Sequence, residues 1–329
     1  MQNRAITPII PVISVLIIVS FGSWIGKAFP QTNEEVVEQF FPQWLLDESE
    51  EDFRKGGPRP FEASAFQLAD LDGVGTEHYI VAAYTNGFSA AIRVLKLQDG
   101  NATLVSEPNI RLLGGIFPAV KLVDIETDGL PEVVVLFTSF RSSTIDWVFK
   151  WTGTELSLIG PSAVDKNGDE YTLLVDSDFV DIDGDGILEI ITPPQHGPIP
   201  PGLEDEIKID TYKLYSFDGQ TYQLTKSLNY FDTFSPHTGA PVVDRSGFEV
   251  QDPGDEFILT IVNGEQGKDR VSGAVLRLNG VLIVGPNDLN QEVGQLVREV
   301  SVLQDNVVEV ELRGEPEGQV TITVEPPKD

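Results

Sequence analysis

Short apolar runs bounded by turn residues dominate the chain from residue 64 onward, and helical spacing is nearly absent. Tyr79–Tyr84, Val133–Phe137 and Ile190–Thr192 are β-branched or aromatic and apolar at consecutive positions. Runs of this length between turn signals read as strands buried on both faces. Alternating segments follow each of them. Arg93–Val105, Val148–Leu158 and Lys213–Leu224 each hold two alternating stretches around a turn, at Asp99-Gly100, Thr152-Gly153 and Asp218-Gly219. That is a hairpin signature.

An acidic loop recurs in phase with these strands. It spans Asp70–His78, Asp124–Glu132 and Asp181–Glu189, with first residues 54 and then 57 apart. A near-constant period of tens of residues means one supersecondary unit used repeatedly. Each unit joins two strands through the loop and adds a hairpin, giving four strands in about 55 residues, the size of a propeller blade. The third loop places Asp181, Asp183, Asp185 and Glu189 at positions 1, 3, 5 and 9, with glycine at 6. Alternate carboxylates in a tight turn converge, and oxygen-only ligands suit a hard cation, calcium before magnesium. The second loop keeps Asp124, Glu126, Asp128 and Glu132 in the same places. The first keeps Asp70 and Asp72 but carries Val74 at position 5 and His78 at position 9, so it lacks two side-chain ligands and reads as a degenerate turn or a partial site. Turns of this composition also occur without metal, because glycine supplies positive φ.

An EF-hand needs a bidentate glutamate at position 12 and flanking helices. Position 12 is Val135 in the second loop and Thr192 in the third, within apolar strands. The units instead resemble the FG-GAP and VCBS repeats of integrin-α-type β-propellers and exported bacterial proteins. That resemblance covers roughly residues 60–235. It implies calcium held by Asp181, Asp183, Asp185 and Glu189 and by Asp124, Glu126, Asp128 and Glu132. It also implies a backbone carbonyl at position 7, that of Ile187 or Leu130. Closed propellers usually need at least four blades, and three units are visible. Either neighbouring segments close the ring or the repeats form an open, capped arc.

Beyond the repeats, Phe257–Val262, Val271–Leu278, Val281–Val284, Val297–Leu303, Asn306–Leu312 and Val320–Val324 read as short strands, with Asn279-Gly280 a hairpin turn. This stretch resembles the small immunoglobulin-like modules that end many exported bacterial proteins. The expected fold is all-β: propeller-like four-stranded repeats followed by a small β-sandwich. The expected divisions are 1–28, 29–59, 60–250 and 255–329.

The N-terminus changes the setting. Arg4 precedes an apolar stretch from Ile9 to Ile25 that ends at Gly26-Lys-Ala28, small residues at the −1 and −3 positions of a cleavage site. This resembles a secretory signal peptide covering 1–28; an uncleaved anchor is the alternative. Residues 29–59 read as a short helical segment capped by Asn33, then a linker. Phe40, Phe41, Trp44, Leu45 and Leu46 read as packing residues, with an aromatic ligand patch as the alternative.

Charge and composition narrow function. Acidic residues number 52 against 22 basic ones, a formal charge of −30. That opposes nucleic acid and anionic membrane surfaces, which need a basic footprint. There is no cysteine, which removes disulfides and thiol catalysis, and a zinc site needs clustered His or Cys, which the sequence lacks. The three histidines lie in unlike contexts, and no serine sits in a Gly-x-Ser-x-Gly elbow. The reading is an exported, calcium-binding, non-enzymatic protein for binding, adhesion or scaffolding, with a protein or glycan partner. A glycan-binding module, or an accessory of a secreted polysaccharide-degrading system, is the alternative, and a glycoside hydrolase a more distant one.

Overall fold

In a computed structural model, the residues described are 37, 39–41, 64–85, 87–99, 101–139, 143–165, 167–194, 211–264 and 268–327. The signal-like segment at 1–28 and the linker expected at 47–60 lie outside them. The described chain is all-β, built from antiparallel sheets.

Three four-stranded units follow one another. The first runs β1 (Ser64–Ala69), β2 (Tyr79–Thr85), β3 (Gly87–Gln98) and β4 (Asn101–Ser106), each paired with the next. The second is β5 (Asn109–Val123), β6 (Glu132–Ser139), β7 (Thr144–Trp151) and β8 (Leu156–Leu158). A small hairpin of β9 (Ser162–Val164) and β10 (Glu170–Thr172) precedes the third unit. That unit comprises β11 (Asp178–Val180), β12 (Glu189–Thr192), β13 (Tyr212–Phe217) and β14 (Tyr222–Leu228). The acidic loop joins the first two strands of every unit, and the hairpins fall where the turn residues place them.

The second strand of each unit is buried on both faces, which is why its sequence is apolar without alternation. Odd residues of β2 (Tyr79, Val81, Ala83) meet Val133, Val135 and Phe137 of β6 in one core. Even residues of β6 (Val134, Leu136) meet Ile190 of β12, Tyr215 and Tyr222 in the next. The units are thus stacked face to face, and β5 also ties the first two edge to edge by pairing with both β3 and β6.

Two faces remain at the ends of the stack, and both are covered. On the first unit, Ile80, Ala82, Tyr84, Ala91 and Leu95 pack against Val37 and Phe41, with the Phe41 and Tyr84 rings 5.1 Å apart. Arg93, on that same face and 2% exposed, donates to the Phe40 carbonyl (3.1 Å) and to Asn109 Oδ1 (3.2 Å). Phe40 and Phe41 are therefore packing residues, as read; Trp44, Leu45 and Leu46 lie outside the described residues. On the third unit, Ile182, Ile191, Leu214 and Leu228 meet Phe231. The stack is an open arc closed off by caps, and no closed ring is formed among the described residues.

Phe231 belongs to the sandwich, and this corrects the expected boundary at 250–255. One sheet is ordered β15 (Tyr230–Phe234), β22 (Val320–Glu325), β17 (Gly254–Asn263) and β20 (Gln295–Val302). The other is β16 (Val243–Glu249), β21 (Asp305–Arg313), β18 (Gly273–Leu278) and β19 (Val281–Val284). Residues 230–249, assigned from sequence to the repeats, supply an edge strand to each sheet. Tyr230 and Phe234 enter the sandwich core with Leu259, Ile322 and Val324. The eight strands enclose one core, and Phe231 points the other way.

A fragment of residues 229–329 should therefore fold alone, giving a well-dispersed amide spectrum, whereas 255–329 should collapse. It loses both edge strands and the apolar surface of Tyr230, Phe234 and Val250. Equal dispersion from the shorter fragment would show that the edge strands are dispensable.

Candidate metal centre

Each acidic loop is a turn organised by its own carboxylates. The aspartate at position 1 accepts the position-6 glycine N–H in all three: Asp70 from Gly75 (2.7 Å), Asp124 from Gly129 (3.1 Å), Asp181 from Gly186 (3.2 Å). These glycines have φ of +83°, +87° and +93°, a left-handed backbone that L side chains rarely adopt. At position 5, Asp128 and Asp185 each accept the position-7 N–H, of Leu130 and Ile187, at 2.8 Å. At position 9, Glu132 and Glu189 accept the position-2 N–H, of Ile125 and Ile182, both at 2.8 Å.

Position 2 anchors each loop on a core. Leu71 enters the seam between the first and second units, Ile125 the seam between the second and third, and Ile182 the outer face of the third. The apolar position 2 turns inward in each loop, while position 3 stays at the surface. The loop is thereby held by packing beneath and by amide donors around it.

The third loop gathers its ligands best. One carboxylate oxygen from each of Asp181, Asp183 and Glu189 lies within 4.8 Å of the others. Asp181 is 3% exposed and Glu189 4%, while Asp183 and Asp185 face solvent. Burial pushes the Glu189 carboxyl up to about 7; the Ile182 N–H opposes this and the neighbouring Asp183 and Asp185 reinforce it. Burial also raises Asp181, opposed by the Gly184 and Gly186 amides. An oxygen-only set of partly desolvated carboxylates lacking a side-chain cation among the described residues fits a hard divalent ion.

The second loop has the same turn but a different balance. Glu132 is buried and pushed up to about 7 by that burial. Glu126, however, pairs with Lys150 Nζ, and Asp124 is exposed rather than buried. Among the described residues its carboxylates do not converge as those of the third loop do. Register explains the lysine. Val133 pairs with Phe149 and Ile190 with Tyr215, so one step on, Lys150 falls beside Glu132 where Ser216 falls beside Glu189. Sequence reasoning missed Lys150, although its place immediately before the Thr152-Gly153 turn was a usable signal.

In the first loop Asp70, Asp72 and His78 come together within the same 4.8 Å. His78 Nε2 stands 3.0 Å from Asp72 Oδ2, which also accepts the Tyr79 hydroxyl at 3.1 Å. Burial alone would raise Asp72, but the Tyr79 hydrogen bond and the His78 ring outweigh it and hold it below the usual carboxylate range. The roles of His78 and Tyr79 were not foreseen.

No family model and no curated protein matches the sequence. Among solved structures, an exo-β-1,3-galactanase from Phanerochaete chrysosporium is similar at 11% identity and a TM-score of 0.19, over 80% of this chain and 68% of that one. A GH31 α-xylosidase from Xanthomonas citri matches at 14% and 0.21, over 80% and 30%. The M60 catalytic domain of Clostridium perfringens ZmpB, with its CBM51 domains, matches at 10% and 0.22, over 83% and 32%. Likeness at this level carries no functional argument.

The raised carboxyls have a consequence for the metal-free protein. A glutamate whose folded value is about 7 against an ordinary 4.5 is most stabilising while protonated. Its contribution is complete below 4.5 and is lost as pH rises through 7. In chelator, the thermal midpoint should therefore fall between these values, and Glu189→Gln together with Glu132→Gln should flatten that slope. An unchanged slope would mean these carboxyls titrate normally.

Proposed function

We propose that this chain is an exported calcium-binding repeat protein that acts in binding, adhesion or scaffolding at the cell surface, without catalysis of its own. The observation that carries the reading is the convergence of Asp181, Asp183 and Glu189 in a loop whose aspartate-to-glycine hydrogen bond recurs in all three units. A cation there neutralises carboxylates that the fold has taken out of water. It also fixes a loop whose position-2 residue lies under the sandwich-facing side of the third unit. Asp181, Asp183 and Glu189 supply oxygen ligands, Asp185 stands at the mouth, and the ion contributes charge neutralisation. The stacked units and the sandwich then act as a rigid spacer presenting surface to a protein or glycan partner. The N-terminal signal-like segment supports export, and the strongly acidic surface argues against nucleic acid and anionic lipid.

Calcium should raise the thermal midpoint of the full chain, because a ligand confined to the native state stabilises it by about 2.7 kcal/mol at a hundredfold excess over Kd. Asp183→Ala should remove most of that gain. Melts in calcium and in chelator decide it: midpoints unmoved by calcium in the wild type would reduce the loops to turns.

The lysine of the second loop gives a separate expectation. Lys150 already supplies a positive charge beside Glu126, so Lys150→Met should enlarge the calcium-dependent gain in midpoint. Calorimetric titration of the variant should show one more bound ion than the wild type. An equal stoichiometry would show that the lysine does not compete.

A further inference from the structure

The first loop departs from the other two at two ligand positions, Val74 at position 5 and His78 at position 9, and the second departure is chemically specific. Position 9 is His78 where the others place a glutamate. The ring is held from both sides. Its Nδ1 lies 2.7 Å from the Thr76 carbonyl oxygen. A carbonyl can only accept, so Nδ1 carries the proton, and in the neutral ring Nε2 then presents its lone pair. That lone pair faces Asp72 Oδ2 at 3.0 Å. Two atoms at this distance share either a proton, which makes the ring an imidazolium paired with Asp72, or a metal ion. The backbone beneath is fixed as well, since the His78 carbonyl accepts the Leu97 N–H at 2.7 Å.

We propose that Asp70, Asp72 and His78 Nε2 form a binding site for a divalent transition-metal ion of the zinc class, distinct in metal preference from the oxygen-only third loop. One ligand atom of each lies within 4.8 Å of the others. Ligands of tetrahedral zinc stand about 2.0–2.1 Å from the ion and hence about 3.4 Å apart, so side-chain shifts of about 1 Å complete the set. An imidazole nitrogen is a poor partner for calcium and a good one for zinc, cobalt or nickel. A ring N–H donated to a backbone carbonyl is the outer support that metal-binding histidines commonly have.

The carboxylates have outer support too. Lys96 Nζ donates to the Tyr79 hydroxyl oxygen (3.2 Å), which leaves the hydroxyl proton for Asp72 Oδ2 (3.1 Å). Asp70 accepts the amides of Val74 (3.2 Å) and Gly75 (2.7 Å). Each carboxylate oxygen retains a lone pair for the ion. The fourth position faces solvent, because Asp72 and the following loop residues through Glu77 are exposed.

The test uses the untagged full chain, stripped with chelator and titrated with cobalt(II). Visible d–d bands should develop in the wild type, be displaced by zinc, and persist in excess calcium. His78→Gln should weaken cobalt binding at least about tenfold. His237→Gln should leave it unchanged. Asp183→Ala should also leave it unchanged while abolishing the calcium response, so failure at one loop is distinguishable from failure at the other. A measurement on the wild type guards against a misfolded variant. The chain has three histidines, and the Nε2 nitrogen resonance of His78 should shift on adding zinc while Nδ1 keeps its proton. Bands of equal strength in His78→Gln, or a His78 ring that stays doubly protonated in excess zinc, would overturn the site and leave the histidine as the internal counter-charge of Asp72.

Discussion

Carboxylates withdrawn from water at the root of the second and third repeat loops constrain much of the repeat domain. Glu132 and Glu189 are almost fully buried, and each accepts the backbone amide of the residue at position 2 of its loop. One amide does not replace the hydration of a charge, so the loop requires a positive partner. The three units share the position-1 turn but place different groups beside it. In the second, Lys150 reaches Glu126. In the first, an imidazole replaces the glutamate and faces Asp72. In the third, the carboxylates converge with no side-chain cation among the described residues. One turn thus accommodates a lysine beside its carboxylates in the second unit and a histidine in the first.

The same loop connects electrostatics to packing. Position 2 is apolar in all three units and lies in a core, while in the second and third units positions 1 and 9 bracket it with carboxylates. Loosening the carboxylates would therefore release a residue from an inter-unit seam. This bears on why a stack of three units can persist without ring closure. A closed propeller covers every blade face with another blade. Here Val37 and Phe41 cover the first face and Phe231 the last. Arg93 fastens the first cap by bonding to a carbonyl of the segment it covers.

The repeats were legible in the sequence because the feature that defines them is local. Strand, acidic loop, strand and hairpin follow one another within about 55 residues. Apolar runs without alternation marked β2, β6 and β12, where both faces are buried. The limit of the sandwich was not legible. β15 and β16 precede the turn-rich stretch at Asp252–Asp255, and β16 is exposed or half-exposed along its length, so it offers no core pattern to read. Its assignment rests on pairing with β21, some sixty residues later. Long-range pairing of an edge strand leaves almost no local trace. The candidate ligands were legible as a set, with the first loop's departures at Val74 and His78, but Lys150 was not, because it acts across the sheet from the loop it modifies.

The junction between the third unit and the sandwich shows how these levels meet. Ile182 donates its amide to Glu189 (2.8 Å), packs its side chain against Leu214 and Leu228, and accepts a long hydrogen bond from Gln295 (3.4 Å) on β20. Lys226 reaches Glu325 across the same junction at 3.0 Å, and Asn229 donates to the Val324 carbonyl at 2.8 Å. An exposed pair such as Lys226–Glu325 contributes little by itself. The apolar contact of Phe231 with the third unit and the backbone bond of Asn229 supply the larger part of the join. One residue of the third acidic loop is therefore simultaneously the hydrogen-bond donor to Glu189, a core residue and an acceptor for the sandwich. Whatever charge settles the Asp181, Asp183 and Glu189 group acts at the residue on which the two halves of the protein bear.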